Sequence, residues 1–311
     1  MIQKPMDILS AYPVRKGRKQ KQAFRADVTA YLKTIGYEAF EEKGSFGSRN
    51  LVFGDPEKAE YLVTAHYDTC ARLPFPNLIT PCNLWTFLAY QLFMACVMLL
   101  VPAIPGVAVG LLTESFQIGY YVWYASFWVV FVLMLFGPAN KTNVNDNTSG
   151  VVTVLEIAGS LPENYRDKVC FVLFDLEEAG LIGSASYYSA HKAAAKNQIV
   201  LNLDCVGDGD RIMLFPTKKL KKDAGKMERL RRCVRVCGQK TVGLRSKGFS
   251  VYPSDQANFP YGVGIAAFRC SKRGILYCSR IHTPRDTVLE ITNVNILRAA
   301  IISMICSPAA K

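Results

Sequence analysis

The sequence predicts an α/β fold: a three-layer sandwich with a mixed central β-sheet, helices on both faces, and a two-helix transmembrane hairpin interrupting it. Three observations lead there. Short apolar runs such as Val169–Phe174 have the length and composition of buried strands. Stretches of helical period alternate with these runs, which is the pattern of a sheet covered by helices. A charge-free segment within residues 82–137 fits neither pattern and is long enough to cross a bilayer.

Taken in order, helical periodicity over residues 17–35 precedes strands near 37–43, 49–54 and 60–66. The turn-rich stretch 145–150 opens a helix over 151–158. Strands follow at Val169–Phe174 and 199–204, and Leu220, Ala224, Met227, Leu230 and Val234 recur at helical spacing. The last helix is expected roughly over 293–305. No internal repeat or low-complexity tract divides the chain.

The interrupting segment has two charge-free parts. The first runs from Leu84 to Val101 and is followed by an apolar stretch to Leu112 that Pro102, Pro105 and Gly106 interrupt; the second runs from Ile118 to Phe136. About 20 apolar residues span a bilayer, and Trp and Tyr near the ends suit its interfaces. The prolines are expected to end or kink the first helix. A lid folded over the rest of the protein, or a loop lying in one leaflet, is the alternative. A spanning hairpin returns the chain to its starting side, so the flanking segments can form one domain.

Seven residues with acid-base or metal-binding chemistry occur in one series: His66 with Asp68, then Asp146, the pair Glu177 and Glu178, Asp204, and His282. Each falls at the end of an expected strand or in a loop beside one, the place where parallel sheets gather ligands. Two histidines and three carboxylates can hold two divalent ions with one carboxylate shared, and a spare carboxylate beside them can act as general base. The strand period of two sets Asp68 on the face of His66, where it can orient the imidazole. The chain has three histidines, and the third, His191, reads as exposed at a helix end. Adjacent glutamates after a buried strand are hard to explain by packing, because glutamate avoids interiors unless paired.

Around these residues, Tyr61-Leu-Val-Thr-Ala-His-Tyr-Asp68, Asn145-Asp-Asn-Thr-Ser-Gly150, Asp175-Leu-Glu-Glu-Ala-Gly180 and Ile281-His-Thr-Pro-Arg-Asp-Thr287 resemble the motifs of the M28 family of zinc aminopeptidases. The resemblance covers roughly residues 15–81 and 138–308. It implies a zinc-exopeptidase-like fold and two Zn2+ per chain. One ion would be held by His66, Asp204 and bridging Asp146, the other by His282, Glu178 and the same Asp146. It further implies Glu177 as general base, a cis peptide between Asp146 and Asn147, and hydrolysis of N-terminal bonds in peptides with a free N-terminus. The expected organisation is a catalytic domain in two parts, 1–81 and 138–311, around the hairpin 82–137.

The chain also departs from that pattern. Many members carry an aromatic residue, often Tyr, before the last histidine, where this chain has Ile281; Tyr252, Tyr261 and Tyr277 are candidates to replace it. In Ser254-Asp-Gln-Ala-Asn-Phe259, Gln256 stands where the family often has histidine, and Asp255 reads as a helix cap or a pocket residue. A glutaminyl cyclase or other amidohydrolase on the same fold, for which one zinc is usual, and a catalytically idle membrane scaffold are the alternative functions.

The net charge of +12 comes mainly from 15–21 and 218–235. With no recognition motif or aromatic platform beside them, these clusters point to a solvated or lipid-facing surface and away from nucleic acid. The turn between the two apolar parts holds Glu114 and no Lys or Arg, whereas all 37 basic residues lie on the other side, which places the catalytic domain in the cytoplasm. Residues 1–7 contain no apolar signal core, and ten cysteines without a regular framework suit a reducing compartment.

Overall fold

A computed structural model describes residues 2–307; Met1 and residues 308–311, which the expected catalytic segments include, lie outside the described residues. The strands are β1 Ala39–Lys43, β2 Arg49–Phe53, β3 Tyr61–His66, β4 Val169–Phe174, β5 Ile199–Leu203, β6 Arg211–Pro216, β7 Arg235–Cys237, β8 Lys240–Leu244, β9 Gly262–Cys270 and β10 Leu276–Tyr277. They form one sheet in the order β1-β2-β4-β3-β5-β9-β6-β8-β7, with β10 beside β9. Its centre, β4-β3-β5-β9, is parallel, while β1, β2, β6 and β7 add antiparallel pairs.

The longer helices are α1 Arg18–Thr34, α2 Leu84–Leu112, α3 Phe116–Phe136, α4 Gly150–Ser160, α5 Ile182–Ala190, α6 Ala224–Arg231 and α7 Ile291–Cys306. The alternation of side chains along β4 shows how they cover the sheet. Val169, Phe171 and Leu173 pack into one core with Phe24 and Leu32 of α1, Leu155 of α4 and Ile301 of α7. Cys170, Val172 and Phe174 pack into a second core with Tyr187 of α5 and Phe259. The central strands are therefore buried on both faces, and the three layers follow from it.

The helical period read over 218–234 breaks in two. Asp223 accepts a hydrogen bond from the Lys226 amide and caps α6, so a short helix, Lys218–Lys221, stays separate from it. Leu220, Met227 and Leu230 are buried, but Val234 lies beyond the helix and is 47% exposed. The basic cluster at 15–21 also differs from a uniformly outward surface, since Arg15 is fully buried.

Helices α2 and α3 pack along each other as a hairpin, with 29 and 21 residues, and both are long and apolar enough to cross a membrane. Of the two expected outcomes, an end is excluded, because α2 continues through Pro102 and Pro105. These prolines remove two helix donors, and in the same stretch Trp123 of α3 donates its indole N–H to the Leu99 carbonyl at 3.1 Å. Gly106 and Gly110, one turn apart, receive Gly119 of α3 so closely that a Cβ on Gly119 would stand 2.8 Å from the Gly106 carbonyl oxygen. Small residues at this spacing let helix backbones approach in a bilayer.

Candidate metal centre

Three neighbouring parallel strands deliver their carboxyl ends to one rim. β3 ends at His66, the loop after β4 carries Glu177 and Glu178, and Asp204 follows β5. Asp146 joins them from an irregular turn, Val144–Ser149, that leads into α4, and His282 arrives on the loop after β10. Leu176, Cys205 and His282 have φ of 56°, 57° and 59°, so the chain turns sharply beside three of the site's side chains.

The two oxygens of Asp146 face opposite ways. Oδ1 lies 3.2 Å from Nε2 of His66, which is also 3.6 Å from Asp204 Oδ1. Oδ2 lies 3.0 Å from Nε2 of His282, which is 3.4 Å from Glu178 Oε2. Ligands about 2.0–2.1 Å from a tetrahedral ion stand about 3.3–3.4 Å from one another, so the four histidine–carboxylate separations, 3.0 to 3.6 Å, are close to the edges of a coordination tetrahedron. Among the described residues, Glu178 Oε1 and Asp204 Oδ1 are buried oxygens without a hydrogen-bond partner. Buried carboxylate oxygens are normally satisfied, and a cation is the partner this donor set fits.

Electrostatics agrees with a site built for positive charge. Burial raises the Glu177 carboxyl well above the usual range, with Glu178 adding to the effect and His66 opposing it. Burial would do the same to Asp146, but His282 and His66 outweigh it and pull that carboxyl down.

The surroundings hold these groups by hydrogen bonds. Asp68 accepts the amides of Glu177 and Glu178 at 3.1 and 3.2 Å. Its carboxylate is 3.5 Å from His66 Nδ1, while its backbone carbonyl is nearer, at 3.2 Å. Two residues without an assigned role in the sequence reading prove central to this scaffold. Asp286 accepts the amides of Asn145 and Asp146 at 2.7 and 3.0 Å, and burial, with Asp146 nearby, pushes its carboxyl up to about 8. Arg15 donates to the Tyr67 and Tyr12 carbonyls and to Thr148 Oγ1 at 2.5, 2.5 and 3.0 Å, bracing the turn that carries Asp146. Asp286 falls within a motif quoted for its histidine; Arg15 looked like one more surface cation. The peptide between Asp146 and Asn147 is cis.

A cavity of about 240 Å³ opens over the cluster. Tyr252 and Ile281 line it, whereas Tyr261 and Tyr277 do not, and the Tyr252 hydroxyl donates to the Asp204 carbonyl at 3.0 Å. Asp255 is buried beside the site and accepts the Ser184 hydroxyl at 2.5 Å, with burial raising its carboxyl to about 7. Asp255 is thus neither a cap nor a lining residue. His191 is remote, and it is partly buried and not exposed: Glu42 and Glu57 clasp its ring at 2.6 and 2.7 Å.

The family model described as Peptidase family M28 matches residues 133–304, more than half of the chain. The chain belongs to peptidase family M28. Its M28 fold is also that of solved structures at low identity. The LapA aminopeptidase of Legionella pneumophila aligns with a TM-score of 0.59 at 14% identity, over 99% of this chain and 70% of that one. A glutaminyl cyclase of Porphyromonas gingivalis gives 0.57 at 16%, over 97% and 94%. A Zn-dependent exopeptidase of Parabacteroides distasonis gives 0.57 at 15%, over 98% and 96%. No curated protein sequence matches the chain. M28 membership carries the coarse class, a peptidase-type hydrolase.

Proposed function

We propose that this M28 chain is a membrane-anchored aminopeptidase that uses two zinc ions per chain to hydrolyse the N-terminal bond of peptides. The observation that carries the reading is the division of the Asp146 carboxylate between two trios, His66 and Asp204 on one oxygen, His282 and Glu178 on the other. Zinc held there would make water a stronger acid and polarise the scissile carbonyl. Glu177 belongs to neither trio, yet one of its oxygens lies within 4.8 Å of the His66 and Asp204 donor atoms. It takes the proton of the attacking water and passes it to the leaving amine. Asp68 orients His66 and holds the Glu177 and Glu178 amides, so it positions both a ligand and the base.

The hairpin 82–137 is the membrane anchor of a catalytic domain built from the segments before and after it. Both helices have the required length and apolarity, and their large apolar side chains are mostly exposed. The tip carries Glu114, while Lys16 reaches the base of α3, donating to the Leu135 carbonyl at 2.9 Å. This asymmetry supports a cytoplasmic catalytic domain beside an anionic leaflet. All ten cysteines are free thiols, which suits that side.

The test is metal content together with hydrolysis of aminoacyl amides and dipeptides, comparing wild type with Glu177→Gln. Two zinc ions in both proteins with cleavage by wild type alone is the expected result. One zinc, with cyclisation of glutaminyl peptides in place of hydrolysis, would move the assignment to a cyclase, the activity named for the P. gingivalis neighbour that shares the fold.

A further inference from the structure

The hairpin does more than leave the catalytic domain and return. Both helices meet at the tip, yet α2 has 29 residues and α3 has 21, so at 1.5 Å per residue α2 extends roughly 12 Å further at the base. That surplus is the first two turns of α2. Phe87, Tyr90 and Gln91 on these turns line the cavity above the carboxylates. On the same turns, Trp85 and Leu88 point away and are 77% and 45% exposed. An exposed Trp at the start of an apolar helix suits the headgroup level. With Trp85 at the headgroups of a bilayer that the hairpin spans, the cavity wall would stand level with that surface.

This wall is fastened, unlike a swinging lid. Asn83 caps α2 by accepting the Thr86 amide at 3.0 Å, and the Tyr90 hydroxyl donates to the Pro76 carbonyl at 3.1 Å. The Val251 amide donates to Pro81 at 3.0 Å, and Phe87 packs on Phe249 with ring centroids 5.8 Å apart. Upstream, the Leu73 amide donates to the carbonyl of His282 itself at 2.8 Å. Ile79, Val251 and Ile281 complete the apolar part of the lining beside the carboxylates and histidines, in a cavity of about 240 Å³.

We infer that the first two turns of α2 are the specificity wall of the site: Phe87 and Tyr90 select an apolar N-terminal side chain, offered by a peptide lying at the bilayer surface. The inference rests on the aminopeptidase reading. Its test uses the full chain, zinc-loaded, in nanodiscs, with leucine hydroxamate and glycine hydroxamate binding measured by calorimetry. Wild type prefers leucine by about tenfold or more, the scale of an added apolar group in a fitted pocket. Phe87→Ala and Tyr90→Ala reduce that preference at least about fivefold, whereas the outward-facing Leu88→Ala keeps it. An unchanged preference in both alanine variants, or an equal loss in Leu88→Ala, would overturn the wall. A leucyl tetrapeptide carrying a C-terminal acyl chain displaces the hydroxamate at a concentration about tenfold below its unacylated twin, because the bilayer raises its local concentration. Equal concentrations would overturn delivery from the surface. Selective hydroxamate binding without peptide hydrolysis would sink the aminopeptidase reading and leave the wall standing, while binding of neither hydroxamate would sink both.

Discussion

The sheet domain and the hairpin are both rich in apolar residues but dispose of them in opposite ways. In β4 every side chain is buried, and the polar groups that share the interior, such as Asn145, Asp286 and Arg15, are held by hydrogen bonds at the rim. In α2 and α3 apolar side chains point outward, Trp85, Leu92 and Val107 being 77%, 67% and 61% exposed. The inner strands of this sheet bury both faces inside one protein, whereas a helix satisfies its own backbone and can leave its side chains to lipid. Fine packing thus matters at the hairpin seam and at the rim for different reasons. One seam needs close approach, and the other needs charges held apart from water.

The comparison can be broken at the rim first. On the two-zinc proposal, Asp146→Ala removes a donor from both trios, so zinc content falls from two ions toward none and hydrolysis to background, while the proposed anchor keeps the protein in the membrane fraction. Retention of both ions by that variant, read by elemental analysis, would refute the bridging role. A smaller effect is expected below the site. Arg15→Met leaves the buried Tyr67 carbonyl and the part-buried Tyr12 carbonyl without their donor, and at about 1–3 kcal/mol for the buried group left unpaired the melting temperature drops by several degrees. A melting temperature equal to wild type would show that water replaces the guanidinium.

At the hairpin the expected effect is more local. Gly119→Leu places a Cβ 2.8 Å from the Gly106 carbonyl oxygen, and the helices must separate; overpacking of this kind costs about 1–3 kcal/mol. A cysteine pair at Ala103 and Trp123, which line one groove between the helices, should then cross-link more slowly than in an otherwise identical Gly119 protein, with zinc content unchanged. Loss of zinc in that variant would mean that the two regions are not independent.

The smallest effect is at His191, far from both seams. Burial alone would lower its pKa, but the Glu57 and Glu42 carboxylates outweigh it and raise the value above 6.5. A raised folded pKa contributes stability that is complete below the unfolded value and fades as pH rises through the folded one. His191→Gln should therefore lower the melting temperature at pH 5.5 and change it less at pH 9. A difference that grows with pH would contradict the clasp.

Much of this arrangement was legible in the residues. Strand ends, the order of the carboxylates and histidines, and the length of the apolar segment are all local facts, since burial on both faces writes a continuous apolar run and a bilayer writes a charge-free one. Local signals failed where a residue's environment is made by distant chain. Arg15 lies in a basic run and Asp286 in a loop motif, and nothing in either neighbourhood marks them as buried supports of the Asp146 turn. The period over Leu220 to Val234 was read as one helix because the spacing of its apolar residues carries no record of the cap at Asp223.

By itself, then, the sequence determined the layered α/β class, the set of residues able to bind cations, and two helices long enough to cross a membrane, because each depends on composition and period along the chain. Only the tertiary structure decided that the two oxygens of Asp146 face different histidines, that of Tyr252, Tyr261 and Tyr277 it is Tyr252 that lines the cavity, and that α2 supplies its outer wall. These are distances between segments as far apart as residues 66, 146 and 282. Such distances come from the packing of the whole sheet and its helices, and no local preference of the backbone encodes them.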